Sequence, residues 1–268
     1  MLTLVGKKQA ITLEGYPIQT EISDVVYEDL IASNSKYILL DETTNTITLK
    51  KSFFKKNKQV QNVTRFFVEL SGDQLTIESP TEKNGLVSSS SFEDDIVDSN
   101  YKNKSIAIIL ESPHIDEYEQ SQDKLVPISA AQGQTGKKIE KSIEKLIFAL
   151  NHYQVIEHHH RYRVILINAV SFQTSLHFIH EKPMNNYYRE LRDKMWLKMW
   201  SEIPHTKNDF TKQLDSLKRD SIVINACPKS LKPFINHELL QFADQFSLFE
   251  SNHPSSTEIW TNSLFKLN

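Results

Sequence analysis

Ionisable and amide side chains lie at the ends of four short apolar runs after residue 100. The runs are SIAIIL, RVILINAV, SIVINA and QFSLFE, and their ends carry Glu111-Ser112-Pro113-His114, Asn168-Ala169-Val170-Ser171, Asn225-Ala226-Cys227-Pro228 and Ser251-Asn252-His253-Pro254-Ser255-Ser256. An unpaired charge buried at a strand end costs several kcal/mol, so we expect these groups to border a solvated pocket. A carboxylate can activate water, an imidazole can pass a proton, and an amide can both donate and accept hydrogen bonds. The pattern predicts that these polar groups converge on one rim of the sheet.

The elements around these groups alternate between strand and helix. Helical periodicity fits the intervening stretches GKKIEKSIEKLIFALNHY, NNYYRELRDKMWLKMWSEI, NDFTKQLDSLKRD and KSLKPFINHELLQFA. Short apolar strands with helical crossovers indicate a mainly parallel sheet. The fold class predicted is therefore α/β, with a four-stranded mainly parallel sheet flanked by helices. Ligands of such sheets bind beyond the carboxyl ends of the strands, where the polar groups lie.

The first hundred residues have a different pattern and predict a β-rich accessory domain. YILLDETTNTITLKK alternates around a turn that contains Asn45, TRFFVELSGDQLTIES has the pattern of a hairpin, and DVVYEDLIA fits a short helix. The polar, serine-rich stretch TEKNGLVSSSSFEDDIVDSNYKNK is typical of a linker. We therefore predict an accessory domain with its linker at residues 1–98 and an α/β domain at residues 99–268.

Composition excludes several classes of protein. The chain has 268 residues, 39% of them hydrophobic and 24% charged, and a formal net charge of −3, which does not fit a nonspecific polycation. Its single cysteine, Cys227, excludes a disulfide framework and a four-cysteine zinc or iron–sulfur site within one chain. No apolar run approaches the roughly 20 residues that span a bilayer, and the first residues lack an export signal. We expect a cytoplasmic protein without a membrane partner, and no obligate protein partner is evident.

The ordered set of strand ends resembles the uracil-DNA glycosylase superfamily over roughly residues 101–268. In that family a water-activating motif of the Gly-Gln-Asp-Pro or Gly-Glu-Ala-Pro kind follows the first strand, an Asn that reads the base ends the second, and His-Pro-Ser follows the last. LESPH, ILINAV and NHPSS occupy these places here. The resemblance implies a monofunctional DNA glycosylase that hydrolyses the N-glycosidic bond of a flipped base, without a cofactor.

The resemblance also implies roles for individual residues. Glu111 is the first choice for activating water, with Asp116 and Glu117 as substitutes, and His253 is placed to donate to the leaving base. The residues assigned to base binding are Asn168, Ile128, Ser112 and His114. The residues assigned to DNA are Gly133, Gly136, Lys137, Lys138, Lys229, Ser255 and Ser256, with Arg161 as a further phosphate-neutralising cation.

Departures from the family pattern bear on the substrate. Ile128 stands where uracil-specific relatives have a stacking Phe, which points to a base other than plain uracil, in repair or in defence against modified phage DNA. Ser112 replaces a catalytic Asp of some relatives, so a catalytically inactive nucleic-acid-binding module is the alternative function. Thr257 lies where relatives insert an apolar wedge into DNA. Ile259 and Trp260 either replace that wedge or begin a final helix, TEIWTNSLFKL, that packs onto the sheet.

Structural explanations compete with each functional one. Glu111 could cap a helix, Asn168 could satisfy a backbone group at its strand end, and His253 could be an ordinary turn residue. The glycines before GKKIEK either approach a phosphate or form a plain turn at the start of a helix. The run His158-His159-His160 favours a solvated loop over a metal site. The stripe of Met195, Trp196, Met199 and Trp200 favours core packing over base stacking.

Overall fold

The computed structural model describes residues 8–16, 18–33, 37–50, 59–79, 104–121, 124–176, 184–203, 205–256 and 260–267. The protein is mixed α/β, with several sheets and, within the described residues, five α-helices. None of these helices is long and apolar enough to cross a membrane. The helices are α1 (Asp24–Ala32), α2 (Gln134–His152), α3 (Asn186–Glu202), α4 (Thr206–Asp215) and α5 (Lys232–Leu239).

A seven-stranded mixed sheet forms the centre of the molecule. Its strands are β5 (Val63–Ser71), β6 (Gln74–Glu78), β7 (Ser105–Leu110), β10 (Arg161–Asn168), β11 (Ile222–Asn225), β12 (Ser247–Glu250) and β13 (Phe265–Lys266). They lie in the order β13-β12-β11-β7-β10-β5-β6. Every residue of β7 is buried, and because neighbouring side chains in a strand point to opposite faces, the sheet is covered on both sides there.

The predicted sheet of four strands is corrected to one of seven. The four predicted strands are neighbours, β10, β7, β11 and β12, and they pair in parallel. Three antiparallel strands extend the sheet, with β13 beside β12 and the β5–β6 hairpin beside β10. The hairpin had been predicted, but sequence periodicity did not show that it joins this sheet.

A second, four-stranded sheet comes from the N-terminal region. It contains β1 (Ala10–Leu13), β2 (Gln19–Glu21), β3 (Ile38–Asp41) and β4 (Thr46–Leu49), in the order β2-β1-β4-β3. The predicted hairpin around Asn45 is confirmed by the antiparallel pairing of β3 with β4. Helix α1 connects this sheet to α3 through a hydrogen bond of 3.4 Å that Tyr188 Oη donates to Asp29 Oδ2.

The predicted domain boundary near residue 98 lies outside the described residues. Strands on either side of it share the central sheet, since β5 pairs with β10 over Val63 to Glu69. The end of the chain also differs from its prediction. A single 3-10 turn (Trp260–Ser263) and β13 replace the predicted final helix, and a two-stranded ribbon of β8 (Tyr118–Ser121) and β9 (Lys124–Pro127) follows the first polar strand end.

Candidate active site

The parallel strands bring two of the predicted catalytic residues together at one edge of the sheet. Glu111 follows β7 and His253 follows β12, and His253 Nε2 lies 3.0 Å from Glu111 Oε2. Both side chains are largely buried, at 14% exposure for Glu111 and 11% for His253. Oε2 accepts no well-aligned hydrogen bond from the described residues, so the close contact with His253 is electrostatic rather than directional.

The turn after β12 determines which nitrogen of His253 carries the proton. The backbone N–H of Ser255 donates to His253 Nδ1 at 3.1 Å, and Ser255 Oγ lies 2.7 Å from the same atom. A backbone N–H can only donate, so Nδ1 must offer its lone pair. When the imidazole carries one proton, this network places it on Nε2, on the side of the ring that faces Glu111.

Glu111 remains ionised in this environment. Burial acts to raise the pKa of Glu111, but His253 and the guanidinium of Arg192 outweigh it and lower that pKa to about 2. The backbone of the same residue is fixed from α3, since Trp196 Nε1 donates to Glu111 O at 2.6 Å. The site therefore holds an anionic carboxylate beside the Nε2 atom of His253.

A groove of about 750 Å³ opens over this pair and is lined by four cationic side chains. Arg189 and Arg192 come from α3, and Lys229 and Lys232 lie between β11 and the first turn of α5. The remaining lining comprises Met184, Asp193, Cys227, Pro228, Ser230, Asn252, Ser255 and Ser256, with Glu111 and His253. A groove with this lining attracts an anionic ligand.

The four cations are not equivalent. Arg192 donates from Nε and Nη2 to Asp193 Oδ1 at 2.9 and 2.6 Å, and Lys232 Nζ lies 3.8 Å from Glu250 Oε1. Arg189 Nη1, in contrast, contacts only the neutral Asn186 Oδ1 among the described residues, at 3.3 Å, and its side chain is exposed. Arg189 is therefore the groove arginine whose charge the described residues do not neutralise. Of these four cations, only Lys229 was predicted from the sequence, and the two arginines three residues apart in YYRELRDK are the signal that was missed.

Asn168 and Glu117 form a second polar pair behind the same strand ends. Asn168 Nδ2 donates to Glu117 Oε2 at 3.0 Å, and each residue is only 2% exposed. Burial raises the pKa of Glu117 to about 8, against the opposing effect of hydrogen bonds from the His114 and Ala131 backbone and from Asn168. The charge of Glu111 raises that pKa further. The two glutamates thus differ, with Glu111 anionic and Glu117 mostly protonated at neutral pH.

Other residues predicted for catalysis and base binding lie outside the groove lining. Asp116 is exposed on a 3-10 turn (Ile115–Glu117), where its Oδ2 lies 3.2 Å from His114 Nδ1. Ser112 Oγ lies 2.7 Å from Thr174 Oγ1 in the interior. The backbone N–H of Ile128 donates to Glu117 O at 2.8 Å, which fixes the segment beside the buried pair.

The two glycines assigned to DNA lie where chain segments approach each other closely. A Cβ on Gly133 would lie 2.2 Å from Asp116 Oδ2, and a Cβ on Gly136 would lie 1.8 Å from the carbonyl oxygen of Ala131. Ala131 itself adopts a φ of 56°, so the backbone turns sharply into α2. Close approach between chain segments therefore explains both glycines, and neither borders the groove.

The lysines and Arg161 assigned to DNA divide by position. Lys229 lines the groove with Ser255 and Ser256. Lys138 Nζ donates to Ser255 O at 2.9 Å and so supports the turn that holds His253, while Lys137 is exposed on α2. Arg161 lies on β10 next to the β5–β6 hairpin and does not belong to the groove lining. Its Nη2 lies 2.5 Å from Glu78 Oε2, and its guanidinium carbon lies 4.2 Å from the ring centre of Phe67.

The remaining predictions concern histidines, tryptophans and the wedge. His158 and His159 lie exposed in a turn, and the described residues contain no group of metal-ligating side chains. Trp196 and Trp200 stack at 5.1 Å in the core. Trp260 is fully buried and its Nε1 donates to Ser142 Oγ at 2.7 Å, whereas the wedge positions Thr257 and Ile259 lie outside the described residues.

No family model, curated protein or solved structure matches this chain.

Proposed function

We propose that the protein is a monofunctional DNA glycosylase, which hydrolyses the N-glycosidic bond of an altered or modified base flipped out of DNA. The observation that supports this most is the contact between ionised Glu111 and Nε2 of His253 inside a cation-lined groove. The order of the strand-end motifs, LESPH, ILINAV and NHPSS, agrees with the resemblance to the uracil-DNA glycosylase superfamily.

The two charge states suit the bond that breaks. Cleavage of a glycosidic bond leaves cationic character on the sugar, and its electron pair departs with the base. Ionised Glu111 stabilises the sugar cation and orients a water whose oxygen bonds to the sugar carbon. His253 Nε2–H donates to the departing base, as a preorganised donor does in an oxyanion hole. The attacking water loses a proton, which is taken up by Glu111 or by the departing base.

The cations of the groove suit the polyanionic substrate. Arg189 and Lys229 lie on different segments of the groove lining and are both exposed, so each can contact a phosphate of the bound strand. The volume of about 750 Å³ lies in the range typical of ligand sites and accommodates one extruded nucleotide. The resemblance assigns the base edge to Asn168, which is buried behind the groove lining, and gives Ile128 the place of a stacking ring. A base modified in repair or in phage defence is the substrate class we propose.

A catalytically inactive nucleic-acid-binding module is the second candidate. The observation in its favour is the 3.0 Å contact between His253 and Glu111, which occupies both groups with each other in the free protein. In this case the cationic groove would bind a strand without cleavage of any bond.

Oligonucleotides carrying uracil, hypoxanthine, or hydroxymethylated or glucosylated cytosine separate the two candidates. The protein is incubated with each, and alkali then breaks the strand wherever a base has been released. Glu111→Gln and His253→Ala should each lower the rate at least about tenfold, about 1.4 kcal/mol of barrier, without loss of folding. Glu144→Gln and His237→Ala, both at exposed helical positions, are the matched controls. Binding without strand breaks on any substrate would support the inactive module.

A further inference from the structure

The charges of the groove lining do not balance. The described lining has four cationic side chains and two anionic ones, Glu111 and Asp193, which leaves a net charge of +2 without His253. The chain as a whole has a net charge of −3, so this positive charge is local to the groove. A concave site with an excess of one sign of charge concentrates ligands of the opposite sign. The groove therefore suits a ligand group that carries about two negative charges, as a phosphate monoester does.

The excess charge resides on the two exposed cations of the lining, Arg189 and Lys229. The other two groove cations are each only 11% exposed and lie near a carboxylate, as Arg192 does beside Asp193. Among the described residues, no ion pair joins Arg189 or Lys229 to a carboxylate. These two charges are therefore available to a ligand without the loss of an existing ion pair.

Arg189 and Lys229 reach the groove from different segments of the chain. Arg189 lies in the first turn of α3, and Lys229 lies in the segment between β11 and α5. A guanidinium donates two parallel hydrogen bonds to a phosphate, whereas an ammonium acts as a compact charge. Cations from two segments can contact different oxygens of one phosphate. A monoester offers three terminal oxygens with a charge of about −1.5 to −2 at neutral pH, whereas a phosphodiester of DNA carries a single charge.

We propose that the groove is a recognition site for a phosphate monoester, held by Arg189 and Lys229, on the nucleotide that the Glu111–His253 pair acts on. Such a group is present on a free nucleoside 5′-monophosphate and on the 5′-terminal nucleotide of a strand. This inference goes beyond base release from inside a strand. Its binding part is independent of the proposed function, and its hydrolytic part rests on that function.

Base release from a nucleoside 5′-monophosphate makes and breaks the same bonds as base release from DNA. The oxygen of water bonds to the sugar carbon C1′ as the bond from C1′ to the base nitrogen breaks, and the electron pair of that bond leaves with the base. The proton of the water passes to Glu111 or to the base. The phosphate ester is not cleaved, so the products are the free base and a pentose 5-phosphate. This sugar phosphate keeps the group that Arg189 and Lys229 contact, and is therefore a ligand of the site whatever the base.

Isothermal titration calorimetry with 2-deoxyribose 5-phosphate, its methyl phosphodiester and 2-deoxyribose measures the site without knowledge of the base. The wild-type protein should bind the monoester at least about tenfold more tightly than either of the others. Arg189→Ala and Lys229→Ala should each lower the affinity for the monoester at least about fivefold. Arg219→Ala and Lys212→Ala, at exposed positions outside the groove lining, are the matched controls and should bind as the wild type does.

The groove variants change only exposed side chains, and circular dichroism checks that each one folds. No measurable binding of the monoester, or equal affinity for the three sugars, overturns the inference. A preference for the monoester that survives both Arg189→Ala and Lys229→Ala overturns it as well.

Oligonucleotides with and without a 5′-phosphate distinguish the two sources of the monoester. Binding of the phosphorylated strand that is at least about tenfold tighter, measured by fluorescence anisotropy, assigns the site to the terminal nucleotide of a strand. Equal binding of the two strands, beside tight binding of the sugar phosphate, assigns the site to free mononucleotides.

Chromatography of the bases released from deoxyuridine, deoxyinosine and their 5′-monophosphates measures the hydrolytic part. We expect kcat/KM to be at least about tenfold greater for the monophosphates, and equal values for nucleoside and monophosphate overturn the inference. Failure of the proposed function appears separately, as monoester binding without base release from any nucleotide or strand. Base release from inside a strand without a preference for the monoester leaves the proposed function intact and overturns this inference.

Discussion

The buried carboxyl of Glu117 should make the stability of the protein depend on pH. Its pKa rises from 4.5 to about 8 on folding, chiefly because burial disfavours the charged form. The folded state therefore holds this proton more tightly than the unfolded state. The contribution to stability is fully present below pH 4.5 and is lost as the pH rises toward 8.

The magnitude follows from the width of that interval. Each pH unit between the unfolded and folded pKa of Glu117 corresponds to about 1.36 kcal/mol, so the full range from 4.5 to about 8 corresponds to about 5 kcal/mol. Between pH 5 and pH 7 the expected loss is about 2–3 kcal/mol. Such a loss is a large share of the free energy of unfolding of a typical domain, which is roughly 5–15 kcal/mol.

Urea unfolding at half-unit intervals from pH 5 to pH 8 measures the effect, with Glu117→Gln as the reference protein. The difference in free energy of unfolding between wild type and variant removes the contributions of all other titrating groups. We expect this difference to decline steadily with rising pH. Parallel curves for the two proteins across the whole range would refute the reasoning and show that Glu117 is ionised when folded.

Three further substitutions test the site and its supports. Trp196→Phe removes the donor to Glu111 O and should lower the free energy of unfolding, measured by urea titration, by about 1–3 kcal/mol. An unchanged midpoint and slope of the titration would contradict the role of that hydrogen bond. DNA affinity depends on salt with a slope of log K against log salt, and Arg189→Ala should make this slope shallower by about 0.7–0.9. The control Arg161→Ala should leave the slope unchanged. Equal slopes for the two variants would show that Arg189 does not contact DNA. Gly136→Ala should destabilise the fold by about 3 kcal/mol because its Cβ overlaps a backbone oxygen, and a variant as stable as the wild type would show that the turn relaxes cheaply.

The sequence predicted those parts of the fold that have a simple period. The run SIAIIL predicted β7 because a strand buried on both faces is apolar throughout, and the 3.6-residue pattern predicted α2 within two residues at each end. The placement of β5 and β6 in the same sheet was not predictable in this way. Strand pairing between distant segments depends on tertiary packing, and the hairpin pattern alone is compatible with either sheet.

The candidate site was predictable to the extent that strand order determines it. Glu111 and His253 each follow a parallel strand, and parallel strands end at one edge, so the contact between them follows from topology. Arg189 reaches the groove from α3, a helix with polar residues on most of its surface. On such a helix the sequence period does not distinguish a groove residue from one that faces solvent. Glu117 was named only as a substitute for Glu111, because a three-residue turn carries no pattern that indicates burial.

Mass spectrometry of the bases released from DNA tests the central claim most directly. Phage and bacterial DNAs of different modification content are digested with wild-type protein, and the supernatant is analysed for free bases beside a Glu111→Gln digest of the same DNA. We expect one free, intact base, released by the wild type at least about ten times faster than by the variant. No free base from any DNA, or release that is equally fast with Glu111→Gln, would contradict it.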